Sequence, residues 1–157
     1  MKKNINRSRK YEDTVQILAV KNHPTTERSI FPTIRELMCF AAVLGFSRGE
    51  FLELDPKAGV EDIQSHIFAN FPDAKRLVYL IALAHKRNVE ILGPNNDREM
   101  VDIFERYANG GLKIMQGWLS ATPQDPHGAE AIFNGLRELK FLGADMKTTP
   151  NVDDVVF

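Results

Sequence analysis

An all-α, compact single-domain bundle of five to six helices is what this sequence predicts, and three observations predict it. Between Asn96 and Leu119 the residues Met100, Phe104, Tyr107, Ala108, Ile114, Met115, Trp118 and Leu119 recur at the spacing of one helical stripe. Leu77 to Ala84 is apolar on nearly every side, the pattern of a helix surrounded by others. Start and stop signals cut the remaining chain into shorter helices joined by short connections. The long helix is expected near 97–119, and a central buried helix near 73–87.

Composition sets the outer limits. A chain of 157 residues is normal for one domain and long enough to bury most of its unfolded surface. Hydrophobic and charged contents of 43% and 26% are those of a globular protein, which argues against wholesale disorder. The longest apolar run, Leu77 to Ala84, is far short of the roughly 20 residues that cross a bilayer, so no membrane span is expected. The basic start lacks the apolar core of a secretory signal, because Asn4, Asn6, Arg7, Ser8 and Arg9 interrupt it. A single cysteine, Cys39, can close no intramolecular disulfide and hints at no zinc cluster, so a reducing cytoplasm fits best. The net charge of -1 argues against coating nucleic acid with the whole surface but leaves local patches open.

Residues 1–10 carry Lys2, Lys3, Arg7, Arg9 and Lys10 with no acid among them. They read as a basic flexible arm, whose functional use would be phosphate contact and whose plainer use is solubility. A helical domain is expected over 11–143. Tyr11, Val15 and Leu18 share a helical face that stops before His23-Pro24, and 24–32 reads as a loop. Thr33 and Glu36 have the capping-box spacing ahead of Leu37, Met38, Phe40, Ala41 and Leu44. Gly45 is expected to end that helix in the left-handed conformation, with Phe46 folding back on Phe40. Cys39, inside the helix, reads as a buried inert thiol because nothing nearby would stabilise a thiolate.

Ser47 to Gly59 is loop-like and acidic, without the spacing of a calcium loop. Val60 to Phe71 fits a short helix or an extended segment, and periodicity does not decide. Pro72 and Asp73 open the next helix, Lys86 and Arg87 suit its end, Asn88 could terminate it, and Gly93-Pro94 breaks the chain. Asn96, Asp97 and Glu99 mark the start of the long helix; Thr122-Pro123 and Asp125-Pro126 end it. A last helix from about Gly128 carries Ile132, Phe133, Leu136, Leu139 and Leu142 on one face and stops at Gly143. The C-terminal tail, 144–157, is polar until Val152, Val155, Val156 and Phe157, which either dock on the body or a partner or stay loose.

No residue pattern declares a reaction. His23, His66, His85 and His127 are scattered and stand in no HExxH, zinc-finger or triad-like setting, so each reads as a surface or structural histidine. Gly110-Gly111 lacks the lysine and hydroxyl residue of a P-loop and lies within a helical pattern. Acid pairs such as Glu61-Asp62 and Asp153-Asp154 are adjacent in sequence with nothing to place them around a substrate. Catalytic residues, metal ligands and cofactors are accordingly expected to be none. Tyr107, Gly110, Gly111 and Trp118 have two readings, a partner-binding site or a structural signature. The stripe keeps phase across the glycine pair, although each glycine costs a helix interior about 1 kcal/mol relative to Ala. Close packing within one long helix, against Leu77 to Ala84, is therefore the preferred account.

Two stretches, Leu37 to Phe46 (LMCFAAVLGF) and Ile103 to Leu119 (IFERYANGGLKIMQGWL), resemble the small Dnd system-associated proteins that accompany bacterial DNA phosphorothioation genes. LVYLIALAHKRNVEIL at Leu77 to Leu92 is similar too, and the resemblance runs from about Arg9 to Leu119. Tyr107 to Leu112, YANGGL, is its most specific part, whereas residues 120–157 depart from the pattern. The resemblance implies a bacterial cytoplasmic accessory protein in a system where sulfur replaces a non-bridging phosphate oxygen of DNA and partner proteins restrict unmodified DNA. It brings no catalytic residues. The expected function is non-enzymatic: binding of a restriction or modification protein of that system, with DNA as a second candidate partner through the basic arm. The alternatives are an interaction module without DNA contact and, less favoured, a metal-dependent nuclease.

Overall fold

The computed structural model describes residues 1–143, in which six α-helices and a two-stranded ribbon alternate along the chain. Strand β1 (Ile5–Ser8) passes through a tight turn into α1 (Glu12–Val15), which continues as one π-helical turn over Gln16–Val20. Then come α2 (Ile34–Arg48), β2 (Val60–Ile63), α3 (Ser65–Ala69), α4 (Pro72–Lys86), α5 (Asp97–Ala121) and α6 (Ala129–Glu138). The helical architecture is the one that the periodicity predicts, and the small sheet is an addition to it. The tail at 144–157 lies outside the described residues.

The centre of the molecule is α5, not the helix near 73–87. With 25 residues it is about 37 Å long, and its buried residues include Val101, Phe104, Ala108, Leu112 and Met115. The expectation for 73–87 fails because a continuous apolar run does not require burial on every side. On α4, Ala74, Val78, Ile81 and Ala82 face inward, while Leu80 is 59% exposed. Pro72 and Asp73 do open this helix, but Arg87, at φ 54°, rather than Asn88, takes its left-handed end.

The principal neighbour of α5 is α2, and the two run antiparallel with their backbones in contact. Gly45 of α2 lies against the carbonyl of Tyr107, and Gly111 of α5 lies against the carbonyl of Ala41. Neither position has room for a Cβ. Gly45 is therefore a packing residue within α2 and not its terminator; the helix runs on to Arg48, and Gly49, at φ 68°, takes the left-handed cap. Phe46 accordingly meets Tyr107, while Phe40 meets Phe31. Gly110 faces a different partner, the carbonyl of Glu50 in the segment that follows α2. The glycine pair does permit close packing, but against α2 and its following loop rather than against α4. At the N-terminal end of α2, Thr33 accepts the Glu36 amide at 3.2 Å, the first half of the expected capping box.

Residues 1–10 do not form a flexible arm. Ile5–Ser8 pair antiparallel with Val60–Ile63, in the register Ile5 to Ile63 and Ser8 to Val60. Ile5 is fully buried, and Arg7 is buried with its guanidinium paired to Glu12. The physical reason is that one apolar anchor and a satisfied ladder hold this strand although its other residues are polar. The segment at 60–71 divides into a strand and a helical turn, the two alternatives that its periodicity left open. The last helix begins after Gly128 as expected but ends at Glu138, short of Gly143, because Lys140 (φ 59°) takes the left-handed turn.

A methyl group at Gly111 would drive into the carbonyl of Ala41, and backbone cannot move aside as a flexible side chain can. Gly111→Ala is expected to lower the unfolding free energy by about 3 kcal/mol or more in urea titrations. Gly117, in the same helix with nothing within 4 Å of an added Cβ, is the control. Gly117→Ala should be neutral or stabilising by up to about 1 kcal/mol.

Candidate interaction site

One polar face of α5 gathers the chain around it. Asp102, Glu105, Arg106, Asn109 and Lys113 follow helical spacing, and each holds a segment distant in sequence. Asp102 pairs with Lys3. The Oε1 of Glu105 accepts the Asn6 backbone N–H at 2.7 Å and the Asn6 side-chain amide at 3.3 Å. The carbonyl of Arg106 accepts the Leu52 N–H at 3.1 Å, and its guanidinium reaches Glu53 at 3.1 Å. Asn109 donates to the carbonyls of Leu52 and Glu53, at 3.3 and 2.9 Å, and Lys113 meets Glu50 at 3.1 Å. This face therefore fixes both β1 and the 50–54 loop, and YANGGL supplies Asn109 and Gly110 to the loop and Gly111 to α2.

Beside the loop lies an aromatic cluster. The Tyr107 hydroxyl and His85 Nδ1 are 2.9 Å apart, and the His85 ring stacks on Phe51 with centroids 4.7 Å apart. Phe51 and Phe46 each pack on Tyr107, at 4.7 and 5.1 Å, and Arg106 covers Phe51 at 5.3 Å. Tyr107 is buried, which pushes its hydroxyl pKa up, whereas Phe46 and Phe51 are each 37% exposed. Of the residues singled out in the sequence, Tyr107 thus borders the surface through its neighbours. Trp118 sits elsewhere, its indole laid over Gly135 of α6.

The five basic residues of the N-terminal segment are not equivalent. Lys3, Arg7 and Arg9 pair with Asp102, Glu12 and Glu61, and the Arg7 guanidinium holds the Glu12 carboxyl below its usual pKa. Lys2 and Lys10 are exposed, and their ammonium groups form no ion pair among the described residues, although the Lys2 backbone N–H donates to Asp97 at 2.9 Å. Among the described residues the four histidines and the cysteine do not gather at one site, although two histidines meet. His23 and His127 meet edge to face at 4.9 Å, and burial raises the Cys39 thiol to about 11. Among the described residues no group of three His, Cys, Asp or Glu side chains is placed to hold a metal ion. None of the described helices is long and apolar enough to cross a membrane.

Glu105 is not among the residues singled out in the sequence, although helical periodicity carries a signal for it. It is in phase with Val101, Ala108 and Leu112 on the buried side of α5, so a charge in the middle of an apolar stripe is the signal that marks it. It is 6% exposed, and burial raises its pKa to about 7 from the ordinary 4.5, against the lowering effect of the Asn6 amide and of Lys3. Beside it opens a cleft of about 270 Å³, lined also by Glu53, Leu54, Asp102 and Arg106.

Residues 4–140 match the family model of DNA sulphur modification system-associated protein 4. The chain belongs to this family. No curated protein and no solved structure matches it. The match covers β1, α2, α5 and α6 alike, so it includes residues 120–140, where the sequence resemblance fades, as well as the YANGGL contacts.

In this family member the Glu105 charge sets a pH dependence. Between pH 4.5 and about 7 the folded chain keeps a proton that the unfolded chain has released, so this group's contribution to stability falls as pH rises through that window. Glu105→Gln keeps an acceptor for Asn6 and removes the charge. From pH 5 to pH 8 the unfolding free energy of the variant should gain on that of the natural protein by roughly 2–3 kcal/mol. Paired urea titrations at those two pH values measure it, and parallel pH profiles would contradict the assignment.

Proposed function

We propose that the protein is a non-enzymatic accessory factor of a bacterial DNA sulphur modification system, working in the cytoplasm by docking on a restriction or modification protein of that system. The observation that carries this reading is the family match over 4–140, whose description is that of an associated protein. The arrangement of α5 supports it, because the polar face of this helix is spent on holding β1 and the 50–54 loop. That leaves Phe46 and Phe51 at the surface on a rigid base, as anchors of an interface are. Affinity copurification from cells that carry the whole gene cluster tests the reading. Recovery of a neighbouring gene product is expected, with at least about fivefold less recovered for a Phe46→Ala, Phe51→Ala double variant. No neighbour recovered by the natural protein would sink it.

DNA contact is the second reading, and the specific observation behind it is that Lys2 and Lys10 carry charge unspent on acids among the described residues. Deleting residues 1–10 would remove β1, so charge reversal is the cleaner probe. If DNA is bound there, Lys2→Glu with Lys10→Glu should weaken binding and reduce the slope of log K against log salt by about 2. A slope that does not change removes these two lysines from any interface.

A further inference from the structure

The cleft beside Glu105 holds one carboxylate that is in no ion pair among the described residues. Of the three carboxylates that line it, Asp102 is held by Lys3 and, at 3.9 Å, by Arg98, and Glu53 by Arg106, but Glu105 has no ion-pair partner among the described residues. Among the described residues both hydrogen bonds to Glu105 fall on Oε1, from the backbone and side chain of Asn6, and Oε2 receives none. A carboxylate that is 6% exposed, half-bonded and turned to an open cleft is costly to ionise unless a cation is brought to it. Among the described residues, these three acids included, no three His, Cys, Asp or Glu side chains are placed to hold a metal ion.

We propose that this cleft is a socket for a basic side chain, arginine or lysine, of the partner protein. At about 270 Å³ it has room for a long side chain in place of several waters of ~30 Å³ each. A guanidinium entering it would donate to the free Oε2, and its departure from water would be balanced by the one unpaired carboxylate. The flanking pairs Lys3–Asp102 and Arg106–Glu53 are then the polar rim that orients it. Occupancy couples to protonation, because only ionised Glu105 attracts the cation, and its raised pKa is the cost that the cation removes. The groups facing Glu105 are Lys3 and Asn6 from the β1 side, Asp102 and Arg106 from α5, and Glu53 from the loop.

The partner is the one named in the proposed function, so the inference rests on that reading, and its test is built to separate the two. Acetyl-arginine amide, titrated into the full chain and followed by amide resonances, is expected to shift Asn6 and the residues around Glu105. Binding should be about tenfold tighter at pH 8 than at pH 6, following the ionised fraction of Glu105. Glu105→Gln, which keeps the Asn6 contact, should lose at least about fivefold in affinity while retaining its fold by circular dichroism. Equal binding by natural protein and variant, equal shifts with magnesium chloride alone, or no shift at all would overturn the socket. Copurification with the neighbouring gene products is run in parallel. A partner recovered equally by Glu105→Gln counts against the socket and leaves the accessory reading standing. A partner recovered by neither protein counts against that reading, while the titration still decides the socket.

Discussion

Two helices in this protein approach until backbone touches backbone, and most of the remaining geometry follows from that approach. Gly45 rests on the carbonyl of Tyr107 and Gly111 on the carbonyl of Ala41, so α2 and α5 meet without a layer of side chains between them. Such a contact gains dispersion along two backbones and places Leu37, Met38, Ala41 and Ala42 against Ala108, Leu112 and Met115, all fully buried. It also fixes where α2 must end. Gly49 then turns the chain, and Gly110 admits the Glu50 carbonyl beside α5. The glycines thus cost intrinsic helix propensity and return it as proximity.

Much of this was legible in the residues, and the parts that were not have physical causes. Helical spacing placed α2, α4, α5 and α6 because each buries a face, and the proline and capping signals set several of their starts correctly. Which helix is central was not legible. Leu77 to Ala84 looks more apolar than α5, but Leu80 is spent on the surface while polar Glu105 and Asn109 are buried on α5. Strand β1 was hidden because Ile5 is its only aliphatic residue and its partner strand, β2, lies more than fifty residues away. Gly45 misled because a glycine near a helix end has two uses, left-handed turn and close approach, and only the partner helix shows which one applies.

The candidate site was legible in outline and not in detail. YANGGL stands out in the sequence, and its contacts give it a structural duty: Asn109 and Gly110 receive the 50–54 loop, and Gly111 receives α2. The basic residues at the start were visible as charge but not as partners, since Asp102, Glu12 and Glu61 are brought to them only by folding. Exposed Phe46 and Phe51 emerge only when the loop is placed, because Phe51 lies in a stretch that reads as an acidic loop and Phe46 at an expected helix end.

The docking of β1 on α5 has a consequence for how the chain can be made. Lys3 waits for Asp102 and Asn6 for Glu105, each a contact across 99 residues. Synthesis runs from the N-terminus, so β1 leaves the ribosome long before the helix that receives it exists. Ile5 therefore lacks its burial site until α5 has emerged, and the strand reaches the helix by closing one of the longest loops among these contacts.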